Sequence, residues 1–362
     1  MSRRLRGRIC IIGAGIFGST IAFVLARDGW HVRLVDQASS ICSGASGNNL
    51  FRLHHGYHYP RSLATAKESF EASTLFLEEY DAAVLAGIPH YYAVAKSGSK
   101  INASEFINHC NLLGLSIQDA SSADISFDHI EQLFLVDESR LDISILKNEI
   151  MSRLIRENVE ISLNSRFRLD DYGNYDFYII AANSGNSDVL NKFGFVYPAR
   201  QYELCEVAVL DFSDLQFNFD LVVLDGDFIS FSPFGVSSKY LLYHVKHSVL
   251  YREISKSLSL PGEFQSLVNN CGITFVPHFS RYREMLSEAA KFIPKLSNAC
   301  YAGSLFSVRS TLPNVDNTDE RPSFVEWHSS NVLSVFSGKI VTAVKVARQV
   351  RDQINIACGY VE

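Results

Sequence analysis

The 362-residue sequence has no closely spaced pair of cysteines, no excess of positive charge and no repeated segment. Its seven scattered cysteines argue against a zinc site or a disulfide framework and favour free thiols in a reducing, cytoplasmic compartment. The formal net charge of −6 argues against a chain that coats nucleic acid. Hydrophobic residues make up 47% of the chain, which is enough for a buried core. We therefore expect a soluble globular protein of about two domains.

Only one apolar stretch, residues 9–26, approaches the length of a membrane span, and arginines at positions 3, 4, 6 and 8 precede it. This arrangement is similar to a signal peptide or a membrane anchor. Gly13, Gly15 and Gly18, however, fall where a secretory core would have leucines. We therefore favour a strand–turn–helix unit here and expect no stable membrane insertion.

The first 36 residues predict a βαβ unit. Residues 8–13 are a short apolar run that ends at glycine, residues 15–27 follow a helical pattern, and residues 31–36 form a second strand-like run. Two strands and a helix within thirty residues are typical of the start of a parallel sheet with helices on its faces. This unit indicates an α/β fold with a nucleotide-binding domain.

The turn of this unit, residues 13–18, is called the nucleotide turn. Its sequence is Gly-Ala-Gly-Ile-Phe-Gly, in which Gly13 permits the tight bend, Gly15 lets backbone amides reach a pyrophosphate, and Gly18 lets the helix pack on the strand. Asp36 follows at the end of the second strand, where a carboxylate binds the ribose hydroxyls and repels a 2′-phosphate. The pattern predicts a dinucleotide site but does not distinguish FAD from NAD.

The rest of the chain predicts further helices and a β-rich part. Helical patterns cover residues 62–85, 141–158, 284–292 and 342–356, and aromatic strand-like runs cluster between residues 197 and 250. We expect a discontinuous nucleotide-binding domain of residues 1–85, 135–196 and 297–362. A substrate domain of residues 86–134 and 197–296, with a mixed or antiparallel sheet, is inserted into it.

Several separate stretches resemble the D-amino-acid oxidase superfamily of FAD-dependent oxidoreductases, which includes glycine oxidase, sarcosine oxidase and L-2-hydroxyglutarate oxidase. The small-residue loop, residues 43–49 (Ser-Gly-Ala-Ser-Gly-Asn-Asn), is similar to the loop that crosses the pyrophosphate in this family. The histidine segment, residues 53–59 (Leu-His-His-Gly-Tyr-His-Tyr), resembles an element of the L-2-hydroxyglutarate oxidase branch. Residues 178–185 resemble a family strand, with Asn183 where glycine is usual. The second glycine turn, residues 337–342 (Ser-Gly-Lys-Ile-Val-Thr), resembles the turn over the flavin pyrimidine edge.

This resemblance implies a Rossmann-like FAD-binding domain of the glutathione-reductase type and FAD as the cofactor. The implied cofactor-binding residues are Gly13, Ala14, Gly15, Ile16, Phe17, Gly18, Asp36, Gln37, Ser43, Gly44, Ala45, Ser46, Gly47, Asn48, Ala182, Gly338, Lys339, Ile340, Val341 and Thr342. The start of the last helix would stabilise the negative charge that develops on a reduced flavin, and Lys339 would add a full charge.

The resemblance also places a substrate between the FAD domain and the inserted sheet. His54, His55 and Lys339 are the candidate catalytic residues. The candidate substrate-binding residues are Arg52, Tyr57, Tyr59, Tyr243 and Arg309. Arg309 is the preferred carboxylate partner because a guanidinium matches the geometry of a carboxylate. No acidic residue lies between Asn48 and Pro60, so the histidines are not expected to bind a metal.

These features favour an FAD-dependent oxidoreductase that oxidises the C–N bond of a small, carboxylated amine or amino acid and passes electrons to oxygen or a carrier. An L-2-hydroxy-acid oxidase with a histidine base is an alternative, because an alcohol must lose its proton whereas a neutral amine need not. A flavin-binding module without turnover is a second alternative. An NAD-dependent dehydrogenase is less favoured. The sequence does not indicate an oligomeric state.

Overall fold

A computed structural model describes residues 6–85, 87–168, 170, 173–212, 215–268, 272–315 and 317–360, and Cys271 lies outside these ranges. The α-helices within the described residues are α1 Ile16–Arg27, α2 Leu63–Tyr80, α3 Ala103–Leu113, α4 Ile143–Arg156, α5 Asn186–Lys192, α6 Gly262–Val268, α7 Tyr282–Ala289 and α8 Ala343–Ala357. The strands are β1 Arg8–Ile12, β2 His31–Val35, β3 Arg52–Leu53, β4 Val84–Leu85, β5 His90–Ala95, β6 Ile117–Asp119, β7 Ile130–Val136, β8 Ser139–Leu141, β9 Glu160–Ser162, β10 Phe177–Ile180, β11 Arg200–Asp211, β12 Asp220–Leu224, β13 Ile229–Pro233, β14 Tyr240–His244, β15 Val249–Ser255, β16 Cys300–Thr311, β17 Phe324–Trp327 and β18 Val332–Phe336.

The first sheet has six strands in the order β17-β18-β10-β1-β2-β9. All neighbours except β17 and β18 run parallel, and β1 lies between β2 and β10. Four of the five β1 residues are buried, as expected for a parallel strand covered on both faces. Helices α1 and α8 pack against each other and share one large apolar core with α4. This sheet confirms the predicted α/β class.

The second sheet is larger and mixed. Its strand order is β15-β11-β14-β13-β12-β5-β7-β6, and β16 also pairs with β11. The β5–β12 pair is parallel and the other pairs are antiparallel. β11 is buried along eleven of its twelve residues because strands lie on both its edges and helices cover it. Residues of this sheet, among them Val207, Val209 and Leu305, share the large apolar core of the first sheet.

A small third sheet, β3-β8-β4, joins the two large sheets. It begins at Arg52, whose buried guanidinium lies 3.2 Å from the Asp220 carboxylate at the start of β12. Arg140 of β8 lies 3.0 Å from the other oxygen of Asp220. A buried charge cluster therefore ties the third sheet to the second, because each buried arginine needs a negative partner.

The structure differs from the sequence expectations at two boundaries. The helix expected over residues 62–85 ends at Tyr80, and Val84–Leu85 instead form β4, which pairs with β8. β16 begins at Cys300 and pairs with β11 along its whole length, although residues from 297 onward were expected in the FAD-binding domain. Helix α3 was not predicted, although Asn102 and Glu105 form a capping box at its start.

No helix in the described part of the chain is long and apolar enough to cross a membrane. The run from residue 9 to residue 26 is divided into β1, the nucleotide turn and α1, as the glycine positions predicted.

Candidate active site

The nucleotide turn closes tightly between β1 and α1. Gly13 has a φ of +108°, and a Cβ there would overlap the carbonyl oxygen of Ala181 just after β10. A Cβ at Gly18 would overlap the carbonyl oxygen of Gly13. The first turn of α1 carries no acidic residue, so its free N–H groups suit an anion. The side chains between these glycines are buried: Ala14, Ile16 and Phe17.

Asp36 lies at the end of β2, beside the nucleotide turn. Its carboxylate accepts hydrogen bonds from the N–H groups of Ala14 at 2.6 Å and Ala38 at 2.8 Å. The side chain is half-buried, and the neighbouring Gln37 is exposed. The carboxylate is therefore held at the turn with lone pairs left for hydroxyl donors such as those of a ribose.

The small-residue loop folds back over the start of α1. Ser46 Oγ accepts a hydrogen bond from the Ile16 N–H at 3.1 Å, and the Cys42 N–H donates to the Ala14 carbonyl at 2.8 Å. A Cβ at Gly47 would overlap the Cys42 carbonyl oxygen. The loop and the nucleotide turn thus form one continuous backbone surface.

Asn48 closes the small-residue loop from inside. Its Nδ2 donates to the carbonyl oxygens of Ser43 and Gly44. Its Oδ1 is buried and has no hydrogen-bond partner in the described part of the chain. Buried acceptors normally have a donor, and a ligand with a hydroxyl or N–H group would supply one. The loop therefore fits a bound dinucleotide cofactor.

The second glycine turn lies against the segment before β17. A Cβ at Gly338 would overlap the carbonyl oxygen of Arg321, so only glycine fits there. The Gly338 N–H donates to Ser323 Oγ at 2.9 Å, and that oxygen lies 2.7 Å from Thr342 Oγ1. Ile340–Thr342 form a 3-10 turn that leads into α8. The positive end of α8 therefore begins at this turn.

Lys339 is buried in an ion pair. Its Nζ lies 2.8 Å from Glu68 and donates to the Arg321 carbonyl at 2.8 Å. It also lies 5.4 Å from the ring centroid of Tyr59. Burial lowers the pKa of Lys339 from its ordinary value, and Glu68 opposes this change. Lys339 is therefore a paired cation next to the histidine segment. The sequence did not predict that Glu68 is its partner.

Residues 178–185 resembled a family strand, and Ala182 and Asn183 follow β10 directly. Asn183 has a φ of +53°, so it adopts the left-handed conformation that glycine takes easily. The Ala182 N–H donates to Asn186 Oδ1 at 2.8 Å. The Asn183 position is thus compatible with the turn that the resemblance implied.

His54 contacts a buried carboxylate. Its Nδ1 lies 3.3 Å from Glu138 Oε1, and the Tyr92 hydroxyl donates to Glu138 Oε2 at 2.7 Å. Burial alone would raise the pKa of Glu138, but His54, Arg52 and Tyr92 together hold it well below its ordinary value. Glu138 is therefore ionised near neutral pH. The His54 side chain keeps 21% of its surface exposed.

The other residues of the histidine segment are oriented differently. His55 Nδ1 lies 3.0 Å from the Asp137 carbonyl. The Tyr57 hydroxyl donates to the Ser116 carbonyl at 2.7 Å, and its ring packs in the apolar core beside α3. Tyr57 thus stabilises the segment, which differs from the substrate contact expected for it. No group of three or more His, Cys, Asp or Glu side chains in the described residues is arranged to hold a metal ion.

His58 is stacked on His54 with 4.7 Å between the ring centroids, and Tyr59 meets both rings edge to face. Burial, and then the neighbouring His54, lower the pKa of His58 from 6.5 to about 3. His58 is therefore neutral at physiological pH.

Arg309 on β16 and Tyr243 on β14 lie on two of the three strands that pair with β11. Arg309 forms an ion pair with Glu203, which also binds Arg252 at 2.7 Å. The Tyr243 hydroxyl is buried and has no hydrogen-bond partner among the described residues. Burial raises the pKa of Tyr243 to about 12, and the nearby charge of Arg309 opposes this rise. The Arg309 charge also lowers the pKa of Tyr59, which burial raises.

Arg52 is placed differently from the substrate contact expected for it. Besides its ion pair with Asp220, its guanidinium donates to the carbonyls of Leu221 at 3.2 Å and Phe231 at 3.0 Å. Its side chain is 1% exposed. Arg52 therefore links the third sheet to the second, and its positive charge acts on Glu138 next to the histidine segment.

Sequence reasoning missed three charged residues at this site. Glu138 pairs with His54, and Arg321 combines an ion pair to Asp319 at 3.1 Å with a backbone contact to the second glycine turn. Lys147 of α4 points its Nζ at Gly47, 3.6 Å from where a Cβ would lie. The helical pattern of α4 was the one sequence signal that could have indicated Lys147. Glu138 and Arg321 belong to no local sequence motif that would have predicted their contacts.

A parallel sheet with a glycine turn, an acidic residue at the end of β2 and a second glycine turn before α8 define a dinucleotide-binding protein. A family model described as FAD dependent oxidoreductase (DAO) matches residues 8–121. Over 385 residues the chain is 26% identical to FAD-dependent monooxygenase kojA of Aspergillus flavus, and the match covers 96% of this chain and 86% of that protein. Over 42 residues, 12% of this chain and 7% of the relative, it is 52% identical to the tRNA 5-methylaminomethyl-2-thiouridine biosynthesis bifunctional protein MnmC of Azoarcus sp..

Solved structures share the fold. Glycine oxidase of Geobacillus kaustophilus superposes with a TM-score of 0.72 at 11% identity, covering 96% of this chain and 94% of that one. L-alpha-glycerophosphate oxidase of Mycoplasma pneumoniae with FAD bound gives a TM-score of 0.73 at 13% identity, covering 95% and 93%. The family model and the shared fold confirm the resemblance to the DAO family of FAD-dependent oxidoreductases found in the sequence. The protein is an enzyme, and its cofactor is FAD.

Proposed function

We propose that this enzyme oxidises the C–N bond of a small amine or amino acid that carries a carboxylate. The observations that carry this proposal are the Arg309 guanidinium and the Tyr243 hydroxyl, which has no partner among the described residues, together with Tyr59, whose ring lies 5.4 Å from Lys339 of the second glycine turn. Arg309 is 34% exposed at its side chain although Glu203 holds one side of its guanidinium. A guanidinium has five N–H donors, so donors remain for a second carboxylate.

The residues divide the work between holding the cofactor and holding the substrate. The nucleotide turn, Asp36, the small-residue loop and the second glycine turn would hold FAD, which supplies a two-electron acceptor when bound. Arg309 binds the substrate carboxylate. The unpartnered Tyr243 hydroxyl donates a hydrogen bond to the same anion, and the Tyr59 ring forms an apolar wall beside it.

Names among the relatives fit this proposal. Glycine oxidase and iminodiacetate oxidase share the fold, at TM-scores of 0.72 and 0.62, and both names describe oxidation of carboxylated amines. The kojA relatives are named monooxygenases, which supports oxygen as the electron acceptor and leaves an electron carrier as the other choice. No disulfide joins two cysteines of the described residues, which agrees with the proposed cytoplasmic location.

Anaerobic bleaching of the flavin tests the proposal. The purified yellow protein is mixed without oxygen with three panels: amino acids and N-methyl amino acids, the same amines without a carboxylate, and 2-hydroxy acids. We expect loss of the oxidised-flavin absorbance with the first panel only. Bleaching by uncharged amines alone, or by no amine at all, would contradict the proposal.

A second candidate is the oxidation of a 2-hydroxy acid, and the His54–Glu138 contact favours it. An alcohol needs a base near its hydroxyl, and a histidine held by a carboxylate is suited to accept that proton. L-alpha-glycerophosphate oxidase, whose name describes oxidation of an alcohol, shares the fold. Bleaching by 2-hydroxy acids and not by amines would select this reaction.

A further inference from the structure

The Glu138 carboxylate is fully buried between three donors. Its side chain is 0% exposed and receives His54 Nδ1 at 3.3 Å, the His55 backbone N–H at 3.2 Å and the Tyr92 hydroxyl at 2.7 Å. No lysine or arginine of the described residues forms an ion pair with it. Its negative charge is thus balanced by hydrogen bonds and by the more distant Arg52. A buried, ionised carboxylate against one ring nitrogen fixes the orientation of that ring.

The three histidines of the histidine segment differ in what they present. His54 Nδ1 lies 3.3 Å from Glu138, the side chain is 21% exposed, and Nε2 is not among the buried polar atoms that have no partner in the described residues. His55 directs Nδ1 to the Asp137 carbonyl, and its Nε2 is buried with no partner in the described part of the chain. His58 Nδ1 is buried in the same way. Only His54 combines a carboxylate on one nitrogen with an accessible second nitrogen.

From this arrangement we infer that Glu138 is a positioning residue that makes His54 Nε2 the proton acceptor of the oxidation. The inference rests on the proposed function: an amine that binds as its ammonium form must lose a proton before hydride transfer, and an alcohol must lose its hydroxyl proton. The substrate carbon loses hydrogen with its electron pair, which the flavin accepts, and the bonded nitrogen or oxygen loses a proton, which His54 accepts. The substrate is oxidised by two electrons to an imine or a carbonyl compound, and the flavin is reduced by two. Without Glu138, His54 would lose both its orientation and the negative charge that stabilises its protonated ring.

Other charged and titratable groups also face this ring. His58 and Tyr59 lie on the same segment, and Tyr92 reaches it from β5 through Glu138. Arg52 lies behind Glu138, and Asp319 acts on His58 and Tyr59 from the segment before β17. His58 is neutral, and Arg52 is already paired with Asp220. Among the described residues, Glu138 is the only carboxylate within ion-pair distance of His54.

A matched pair of variants separates the charge of Glu138 from its packing. Glu138→Gln keeps the shape and removes the charge, whereas Tyr92→Phe removes one hydrogen bond and keeps the charge. With the best substrate from the bleaching panels, we expect Glu138→Gln to slow flavin reduction about 10- to 100-fold, less than the roughly 100- to 10,000-fold effect of a general base itself, because Glu138 acts through His54. The acid limb of its pH–rate profile is the range in which the rate falls as the pH decreases. This limb should move to lower pH in Glu138→Gln, because a neutral amide no longer stabilises the protonated His54 ring. Tyr92→Phe should slow flavin reduction less than Glu138→Gln does and should move the acid limb less, because the carboxylate keeps its charge.

Two further measurements keep the inference testable if Glu138→Gln fails to fold or to hold FAD. His54→Asn should slow flavin reduction at least about 100-fold and abolish the acid limb. In the parent holoprotein, ¹⁵N NMR of labelled histidine should show neutral His54 protonated at Nδ1, with the His54→Asn spectrum assigning the signal. A His54 signal protonated at Nε2, or an unchanged acid limb in His54→Asn or Glu138→Gln, would overturn the inference. The NMR result needs no substrate, so it stays decisive even if no panel bleaches the flavin and the proposed function fails.

Discussion

The two sides of this active site are built by different means. The side proposed to bind the nucleotide, the nucleotide side, consists of short contiguous segments whose backbone would do the binding: the nucleotide turn, the small-residue loop and the second glycine turn. The side proposed to bind the substrate, the substrate side, consists of charged side chains from separate strands, such as Glu138 after β7, Glu203 on β11 and Arg309 on β16. Backbone contacts depend on local conformation, whereas the charged pairs form only after distant strands have met.

This difference sets what each side tolerates. A glycine turn fails when a single Cβ is added, because the contact is between backbone atoms that cannot move aside. A buried ion pair fails when one partner is removed, because the other charge is left without compensation. The nucleotide side should therefore be sensitive to added volume, and the substrate side to lost charge.

The largest effect expected is that of added volume at the nucleotide turn. In Gly18→Val the new Cβ would overlap the Gly13 carbonyl, and overpacking of this kind should lower the free energy of unfolding by about 3 kcal/mol or more. We expect little folded, yellow protein. Gly44→Ala is the matched control, since a Cβ at Gly44 has no atom within 4 Å. Equal flavin content and equal denaturant midpoints for the two variants would contradict the prediction.

The contrast also explains how far the sequence alone could lead. The βαβ unit and both glycine turns were predictable because each needs only a few neighbouring residues with strong backbone preferences. The pairing of Arg52 with Asp220 was not, since it joins residues 168 positions apart through two sheets. The same holds for Glu138 and His54, whose contact depends on the turn between β7 and β8. Sequence patterns identified the histidines as polar but did not indicate which one has a carboxylate.

Removal of charge from the substrate side should have the next largest effect. Arg309→Leu is expected to leave FAD binding intact and to lower kcat/KM for an anionic substrate by about 2–5 kcal/mol, or about 30-fold to several thousand-fold. Arg309→Lys keeps the charge but loses the paired N–H groups, so it should recover only part of the loss.

Arg252→Leu is the control for Glu203. Arg252 forms the second ion pair of Glu203, and its side chain is 46% exposed. Its removal tests whether the loss of an ion pair at Glu203 is enough to lower kcat/KM. If Arg309→Leu and Arg252→Leu lower kcat/KM equally, or if Arg309→Leu is as active as the parent, Arg309 does not hold the substrate and Arg321 is the next position to test.

At the nucleotide side, loss of charge should weaken cofactor binding without unfolding the chain. Asp36→Ala removes charge-assisted hydrogen bonds to the ribose, each on the order of 1.5–3 kcal/mol, or about 10- to 150-fold in the FAD dissociation constant. Equilibrium dialysis of the holoprotein measures this constant. Asp36→Asn keeps one acceptor for the Ala14 and Ala38 N–H groups and should bind more tightly than Asp36→Ala. Unchanged FAD affinity in Asp36→Ala would place the ribose elsewhere.

Lys147 tests whether the nucleotide side also uses a side-chain charge. Its ammonium forms no ion pair or hydrogen bond with the described residues and points at the small-residue loop, so we expect it to attract the FAD phosphates. Lys147→Met should raise the FAD dissociation constant about fivefold, or about 1 kcal/mol, and reduce its dependence on salt. The exposed Lys256, replaced in the same way, is the control. An identical salt dependence in the two variants would show that Lys147 does not contact the phosphates.

The smallest effect expected is a pH dependence of stability that belongs to the substrate side. Burial lowers the pKa of His58 in the folded protein to about 3, below its ordinary value of 6.5, so the folded state resists its protonation. The stability that neutral His58 provides is complete above pH 6.5 and falls as the pH decreases toward 3, by about 1 kcal/mol over the first unit below 6.5. His58→Gln has no such proton to take up, so its free energy of unfolding should fall less between pH 6.5 and 5.5 than that of the parent. The other buried histidines titrate in both proteins and cancel in the difference. Parallel denaturation curves for the parent and His58→Gln across this range would show that His58 is accessible to protons in the folded state, and would weaken the contrast drawn between it and His54.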